Sequence, residues 1–294
     1  MLHTLTTQLT SMNNILVTGG NGQLGSELGE IAPNYKDYNF LFTDVKDLDI
    51  TNHPAVSAFV ESNNINAIIN CAAYTAVDKA ESEPELCVAI NHLAVANFAQ
   101  IAKDNNIKLV HISTDYVFDG TNHKPYVETD IPNPQSVYGV TKLSGEQAMQ
   151  QINPANSIII RTSWVYSKFG NNFVKTMLRL TETRDEISVV ADQIGTPTSA
   201  ADLAEVILNI LPQVSNETVE LFHYSNEGVC SWYDFTKVVF EIKGVSINVN
   251  PIESSQYPTA AKRPFYSVLN KSRIKQLYNI KIPHWRKSLI KILN

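Results

Sequence analysis

The chain has 294 residues, 44% hydrophobic and 18% charged, the composition of a globular protein of one large or two modest domains with a full core. A formal net charge of −6 and a pI near 5.6 argue against nucleic acid or an anionic membrane surface as the main partner. Three cysteines (Cys71, Cys87, Cys230) and seven histidines lack metal-ligand spacing, so no metal site is expected, and scattered thiols suit the cytoplasm.

Residues 1–11 carry neither basic residues nor a long apolar core, so they read as a disordered extension rather than a secretory signal, with Met12 as a natural start. No apolar run reaches the ~18 residues of a membrane helix, and no membrane partner is expected. The first strand is expected over 14–18, where Ile15-Leu16-Val17 runs into Thr18-Gly19-Gly20-Asn21-Gly22-Gln23-Leu24-Gly25. Gly19, Gly22 and Gly25 supply a tight turn, a place for close backbone approach to a pyrophosphate, and a close helix–strand contact. The helix expected near 22–32 offers free N–H groups and a positive dipole end, both favourable for phosphate. A second strand at 39–43 ends at Asp44, placed where a carboxylate reaches an adenosine ribose.

Helical patterns near 53–63, 84–104 and 136–152 then alternate with strands at 66–71, 108–113 and 157–162. This alternation predicts an α/β fold: a Rossmann-type doubly wound parallel sheet followed by a smaller, less regular C-terminal substrate-binding lobe. The dinucleotide-binding domain is expected over 12–165, with 187–213 returning to it. Segments 166–186 and 214–294 are assigned to the lobe, where prolines multiply and apolar runs shorten.

Tyr138 and Lys142 stand at i and i+4, one face of a helix, where an ammonium would favour phenolate and lower the tyrosine pKa. Chance alone produces such pairs, and Tyr233 with Lys237 is a second one; its flanks, Ser231–Phe235, read as the start of an amphipathic helix in the second lobe. The first pair is set apart by its company. The strand at 108–113 delivers Ser113 and Thr114 to a strand's carboxyl end, where a hydroxyl can bond a substrate carbonyl while the tyrosine supplies a proton.

In this order, Thr18–Gly25, Asn70-Cys71-Ala72-Ala73, Ser113-Thr114-Asp115 and Tyr138–Lys142 resemble the extended short-chain dehydrogenase/reductase family. A narrower resemblance, to the branch that reduces dTDP-linked 4-keto-6-deoxysugars, rests on Tyr74–Glu85, Ser113–Asp119, Arg161–Tyr166, Gly170–Phe173, Asp192–Thr198, Tyr257-Pro258-Thr259 and Arg263-Pro264. It spans 12–294. It implies NADPH or NADH as cofactor and a nucleotide-linked keto-sugar, dTDP-4-dehydro-6-deoxy-L-mannose, as the small-molecule substrate, reduced at C4.

On individual positions, the resemblance places Gly19, Gly22, Gln23, Leu24 and Gly25 at the pyrophosphate, Asp44 at the ribose and Asp49 with Ile50 at the adenine. Ala73, Tyr74 and Thr75 would line the path to the nicotinamide. Tyr138 would be the proton donor, Lys142 would hold the nicotinamide ribose, and Thr114 would bond the keto oxygen. Asp115, Trp164, Val77 and Arg263 would border the substrate. Some relatives dimerise around magnesium held by three carboxylates. Here Glu27 matches one position, Ala201 stands at the second, and the chain ends at Asn294, so a monomer is expected over a metal-bridged dimer.

Two other functions fit the same scaffold. A nucleotide-sugar 4-epimerase would retain its NAD, and a 4,6-dehydratase would favour an Asp-Glu pair where this chain has Asp115-Tyr116. A non-catalytic NADP-binding regulatory subunit would not require Thr114, Tyr138 and Lys142 together.

Overall fold

Apolar runs make the centre of the molecule, whose computed structural model describes residues 13–294; the expected extension 1–11 and Met12 lie outside the described residues. Strands Asn13–Thr18 (β1), Tyr38–Thr43 (β2), Ile65–Asn70 (β3), Lys108–Thr114 (β4), Ser157–Thr162 (β5) and Glu220–His223 (β6) form one six-stranded sheet. The spatial order is β6-β5-β4-β3-β1-β2, and every pair is parallel. Parallel strands need covered crossovers, and helices accordingly lie on both faces.

Strand alternation divides the core between them. Ile15, Val17, Ile69 and Val110 face the layer made by Gln23–Ile31 (α1), where Leu203, Ile207 and Ile274 also pack. Leu16, Ile68, Leu109 and Ile159 face His53–Ser62 (α2), the helical run Pro84–Asn105 (α3) and Val137–Ile152 (α4), meeting Val56, Phe98 and Met149. Because β1 sits between β2 and β3, connections diverge there, and a crevice opens beyond the carboxyl ends of the strands.

The less regular lobe has its own core. Phe173–Leu180 (α5) and Trp232–Lys243 (α7) enclose Val174, Phe235, Val239 and Trp285, roofed by the parallel pair Glu186–Val190 with Asn248–Ile252. Between these two, Ala200–Ile210 (α6) packs on α1 under the main sheet.

The structure moves three expectations. The segment 187–190 pairs inside the lobe, whereas α6 and β6 complete the sheet and its helical layer. Glu220–His223 belongs to the sheet and not to the lobe; four residues with a charged end carry almost no periodicity from which to read that. Finally, α3 spans 22 residues and by length and composition is apolar enough to cross a membrane, contrary to the reading of the sequence. Half of that apolar window is buried, with Ala94, Phe98, Ala99 and Ala102 among the sheet's packing partners.

Candidate active site

The crevice is a cavity of about 740 Å³, within the usual range for small-molecule sites, and it runs from the glycine loop to the lobe. At its start Gly19 adopts φ +65, and a Cβ there would lie 2.8 Å from Ala72 Cα, so only glycine lets the loops after β1 and β3 touch. Gly22 opens α1 in extended conformation with no side-chain cap among the described residues, as an open first turn of N–H groups beside the cavity requires. Gly22, Gln23 and Leu24 line it, while Gly25 packs beneath on Gly19 and Gly20 instead. Asp44 closes β2 against the loop, accepting from Asn21 N at 3.1 Å and Val45 N at 2.8 Å; Asp49 and Ile50 line the same end. An uncapped helix start, a glycine cradle and a carboxylate at the second strand's end together fit a dinucleotide.

Beyond the glycines lie Ala73, Thr75 and Val77. Tyr74 does not join them. Its phenol donates to Glu83 Oε2 at 2.6 Å, which pushes its pKa up to about 12, and its backbone N–H and C=O are both taken by the side chain of Asn91. Asn91 sits in a π-helical turn, Ala89–Leu93, that interrupts α3 and aims this carboxamide at the loop. Periodicity in the sequence does not reveal such a turn.

Ser136 caps α4 by accepting from Gly139 N at 3.2 Å, which sets Tyr138 on the first turn at the mouth of the cavity. Burial raises the Tyr138 pKa above the usual phenol value, while the neighbouring Thr114 hydroxyl opposes the rise. The expectation that Lys142 lowers it is not met. Lys142 is buried; its ammonium donates to Ile112 O at 2.6 Å and lies 3.4 Å from His111 Nε2, and burial pushes its pKa down to about 8. Helical spacing sets the face of the pair, but not the direction of a four-carbon side chain.

Thr114 ends β4 and donates to Asp115 Oδ1 at 3.0 Å. Burial drives Asp115 up to about 6 despite the nearby Ser267 and Thr114 hydroxyls, and its Oδ2 has no hydrogen-bond partner among the described residues. Thr162 Oγ1 on the adjacent strand is likewise buried and unpartnered, and both residues line the cavity. Ser113, by contrast, gives its hydroxyl to Glu146.

On the lobe side Trp164 adopts φ +48 and lies flat on Trp232, ring centroids 3.5 Å apart and 10° from parallel. A Cβ at Gly195 would come within 2.6 Å of the Trp164 indole, so that glycine gives the ring its room. Trp232 lines the cavity too, although its sequence context reads as a helix start. Tyr233 packs into the lobe core and Lys237 is exposed; neither faces the cavity. Arg263 is also absent from the wall, its guanidinium paired bidentately with Asp78 at 3.0 and 2.6 Å. Glu27 is buried with its carboxylate accepting from Ser167, and among the described residues no group of three or more His, Cys, Asp or Glu is placed to hold a metal.

The family described as "RmlD substrate binding domain" matches residues 12–294. A dTDP-4-dehydrorhamnose reductase of Aggregatibacter actinomycetemcomitans is 42% identical, over 95% of this chain and 97% of its own. The crystal structure of a dTDP-4-dehydrorhamnose reductase from Clostridium acetobutylicum superposes with TM-score 0.90 at 44% identity, covering 95% of this chain and 98% of that one. A Bacillus anthracis dTDP-4-dehydrorhamnose reductase in complex with NADP matches with TM-score 0.90 at 41% identity, again over 95% and 98%.

Proposed function

The chain belongs to the RmlD substrate-binding-domain family, and from that membership we propose that it reduces the 4-keto group of dTDP-4-dehydro-6-deoxy-L-mannose to give dTDP-L-rhamnose, with NADPH or NADH. The observation that carries this reading is the convergence of Thr114, Tyr138 and Lys142 with the glycine loop on one cavity.

When bound, the reduced nicotinamide supplies a hydride to the carbonyl carbon. Everything else falls to the protein. The backbone N–H groups opened by Gly22 hold the pyrophosphate, Asp44 the adenosine ribose, and Asp49 with Ile50 border the adenine. Lys142 holds the nicotinamide ribose from the floor of the crevice. The Thr114 hydroxyl, which donates to Asp115, would turn its proton to the keto oxygen, beside the Tyr138 phenol. Because burial keeps that phenol protonated at neutral pH, Tyr138 is an acid ready to give its proton to the alkoxide as C4 is reduced. Asp115, with one carboxylate oxygen unpartnered among the described residues, accepts from a sugar hydroxyl. Trp164 and Trp232 together form the apolar wall for the deoxysugar, and Val77 borders the substrate. Arg263 acts from outside the wall, as a clamp on Asp78 next to Val77.

The dinucleotide-binding domain comprises 13–165 with α6 and β6, the substrate lobe the remainder. The protein is monomeric and cytoplasmic in this reading, supported by Ala201 at a position where a bridging magnesium needs a carboxylate and by three free thiols. Purified protein incubated with the dTDP-keto-sugar and NADPH tests the function: stoichiometric NADPH oxidation and one 6-deoxyhexose product are expected. Protein that carries bound NAD and interconverts 4-epimers, or that binds NADPH without turnover, would overturn it.

A further inference from the structure

Lys142 is reached from behind by a chain of buried polar side chains that the mechanism above leaves without a task. Thr18 Oγ1 donates to Asn70 Oδ1 at 2.7 Å, the Asn70 amide nitrogen meets His111 Nδ1 at 3.1 Å, and His111 Nε2 lies 3.4 Å from Lys142 Nζ. The four side chains are all essentially inaccessible to solvent. The first three lie on adjacent strands: Thr18 ends β1 and immediately precedes the glycine loop, Asn70 ends β3, and His111 lies midway along β4 opposite Asn70.

A buried ammonium requires acceptors: here it has the Ile112 carbonyl, and the His111 ring joins it when the Asn70 carboxamide turns its oxygen to Nδ1, which puts the ring proton there and frees Nε2 to accept. Among the described residues, the other titratable groups facing Lys142 are committed or uncharged. Glu146 on α4 is taken by Arg161, the Cys71 thiol is pushed up by burial, and Cys87 on α3 shares its sulfur with Thr141 and Asn91. Tyr138, one turn earlier on α4, is kept protonated by burial. His111 itself faces only Asn70 and Lys142, and burial together with the Lys142 charge holds the imidazole neutral.

We propose that His111 is a positioning residue for Lys142, fixing its ammonium in register with the glycine loop through the Thr18–Asn70–His111 chain. The proposal rests on the role given above to Lys142 in holding the cofactor. A neutral ring serves either protonation state of Lys142, because a half-turn of the Asn70 carboxamide matches a proton on Nδ1 or on Nε2. The bond from a charged donor is the stronger, so on balance the ring favours the ammonium.

Replacing His111 by Phe removes the acceptor and lets the ammonium lose its proton more easily. The alkaline limbs of both kcat/KM and NADPH affinity then move to lower pH by about 0.5–1 unit, with kcat/KM at neutral pH down about tenfold. His111→Gln, which restores a polar partner at similar reach, returns the limbs toward wild type. Thermal unfolding of each variant corrects for the folded fraction. Asn70→Ala covers the case in which the Phe variant does not fold, and must move the same limbs in the same direction by less. Unmoved limbs in folded His111→Phe, or in Asn70→Ala, overturn the proposal, as does a folded Gln variant with the Phe profile. Wild-type protein that binds NADPH yet leaves the keto-sugar unreduced would overturn the proposed function alone, and the affinity limb would still decide on His111. Absence of NADPH binding overturns both.

Discussion

Ser113 and Thr114 are neighbours on β4, as Arg161 and Thr162 are on β5, yet each pair divides between two buried clusters of opposite character. Ser113 and Arg161 point to Glu146, whose two oxygens take Arg161 Nε at 2.9 Å and Nη2 at 2.6 Å together with the Ser113 hydroxyl. The remaining Arg161 nitrogen meets His223, which stays neutral because burial and the guanidinium push its pKa down to about 3. The guanidinium also stacks over Phe118 at 5.0 Å. Thr114 and Thr162, one residue further, reach the crevice with Asp115 and Tyr138, where an oxygen of Asp115 and one of Thr162 have no partner among the described residues. One cluster thus ties β4, β5 and β6 to α4 with its hydrogen bonds filled, and the other lines the crevice with those two oxygens unfilled, as the proposed function requires of a ligand site. Residue type does not separate them; completeness of hydrogen bonding does.

Removing the Tyr138 hydroxyl should show the largest effect. Tyr138→Phe is expected to lower kcat by ~10²–10⁴ with the melting temperature unchanged, because the proposed function has the lost group work on the substrate. A comparable loss of stability would erase the distinction between the two clusters. In the closed cluster the signs reverse: Glu146→Ala leaves a buried guanidinium alone and should destabilise by about 3–5 kcal/mol in denaturant titration. A Glu146→Ala protein as stable as wild type would show that the ion pair is not structural.

Much of this contrast is legible in the sequence. The five longer strands of the sheet are found within a residue or so, because parallel strands covered on both faces are near-continuous apolar runs, as Ile15-Leu16-Val17 and Ala67-Ile68-Ile69 are. The glycine loop, Asp44, Thr114, Tyr138 and Trp164 are legible for a similar reason, since each lies at or just beyond a strand end or on a first helical turn that the pattern locates. What stays hidden depends on side-chain direction. Lys142 turns to a strand carbonyl, Tyr74 to Glu83 and Arg263 to Asp78, choices set by partners that periodicity does not name. Glu220–His223 is too short to carry a period, and Trp232 is concealed by the capping box of Ser231 and Asp234, which reads only as a helix start.

Smaller effects are expected on the lobe side. Trp164→Ala and Trp232→Ala should each raise KM for the keto-sugar about tenfold and leave NADPH affinity alone, measured by steady-state kinetics and direct titration. Variants that only melt earlier, with unchanged kinetics when folded, would return the two rings to the lobe core. Tyr233→Phe should be nearly neutral in kcat and KM, since its ring faces that core. A loss rivalling that of Tyr138→Phe would mean that the wrong tyrosine–lysine pair has been placed at the chemistry.

Whether the open cluster is maintained for a ligand, at the expense of stability, is decided by the stability of Asp115→Asn as a function of pH. Burial raises the Asp115 carboxyl to about 6 in the folded protein, above its ordinary value. Its neutral form is therefore favoured by folding, and the charge becomes destabilising as pH rises through about 6. The asparagine variant should be more stable than wild type by about 2–3 kcal/mol at pH 8, with the gain disappearing below pH ~4, while turnover of the keto-sugar falls. An asparagine variant that is less stable than wild type at pH 8 would place Asp115 with Glu146 among the structural groups, and the division between the two clusters would fail.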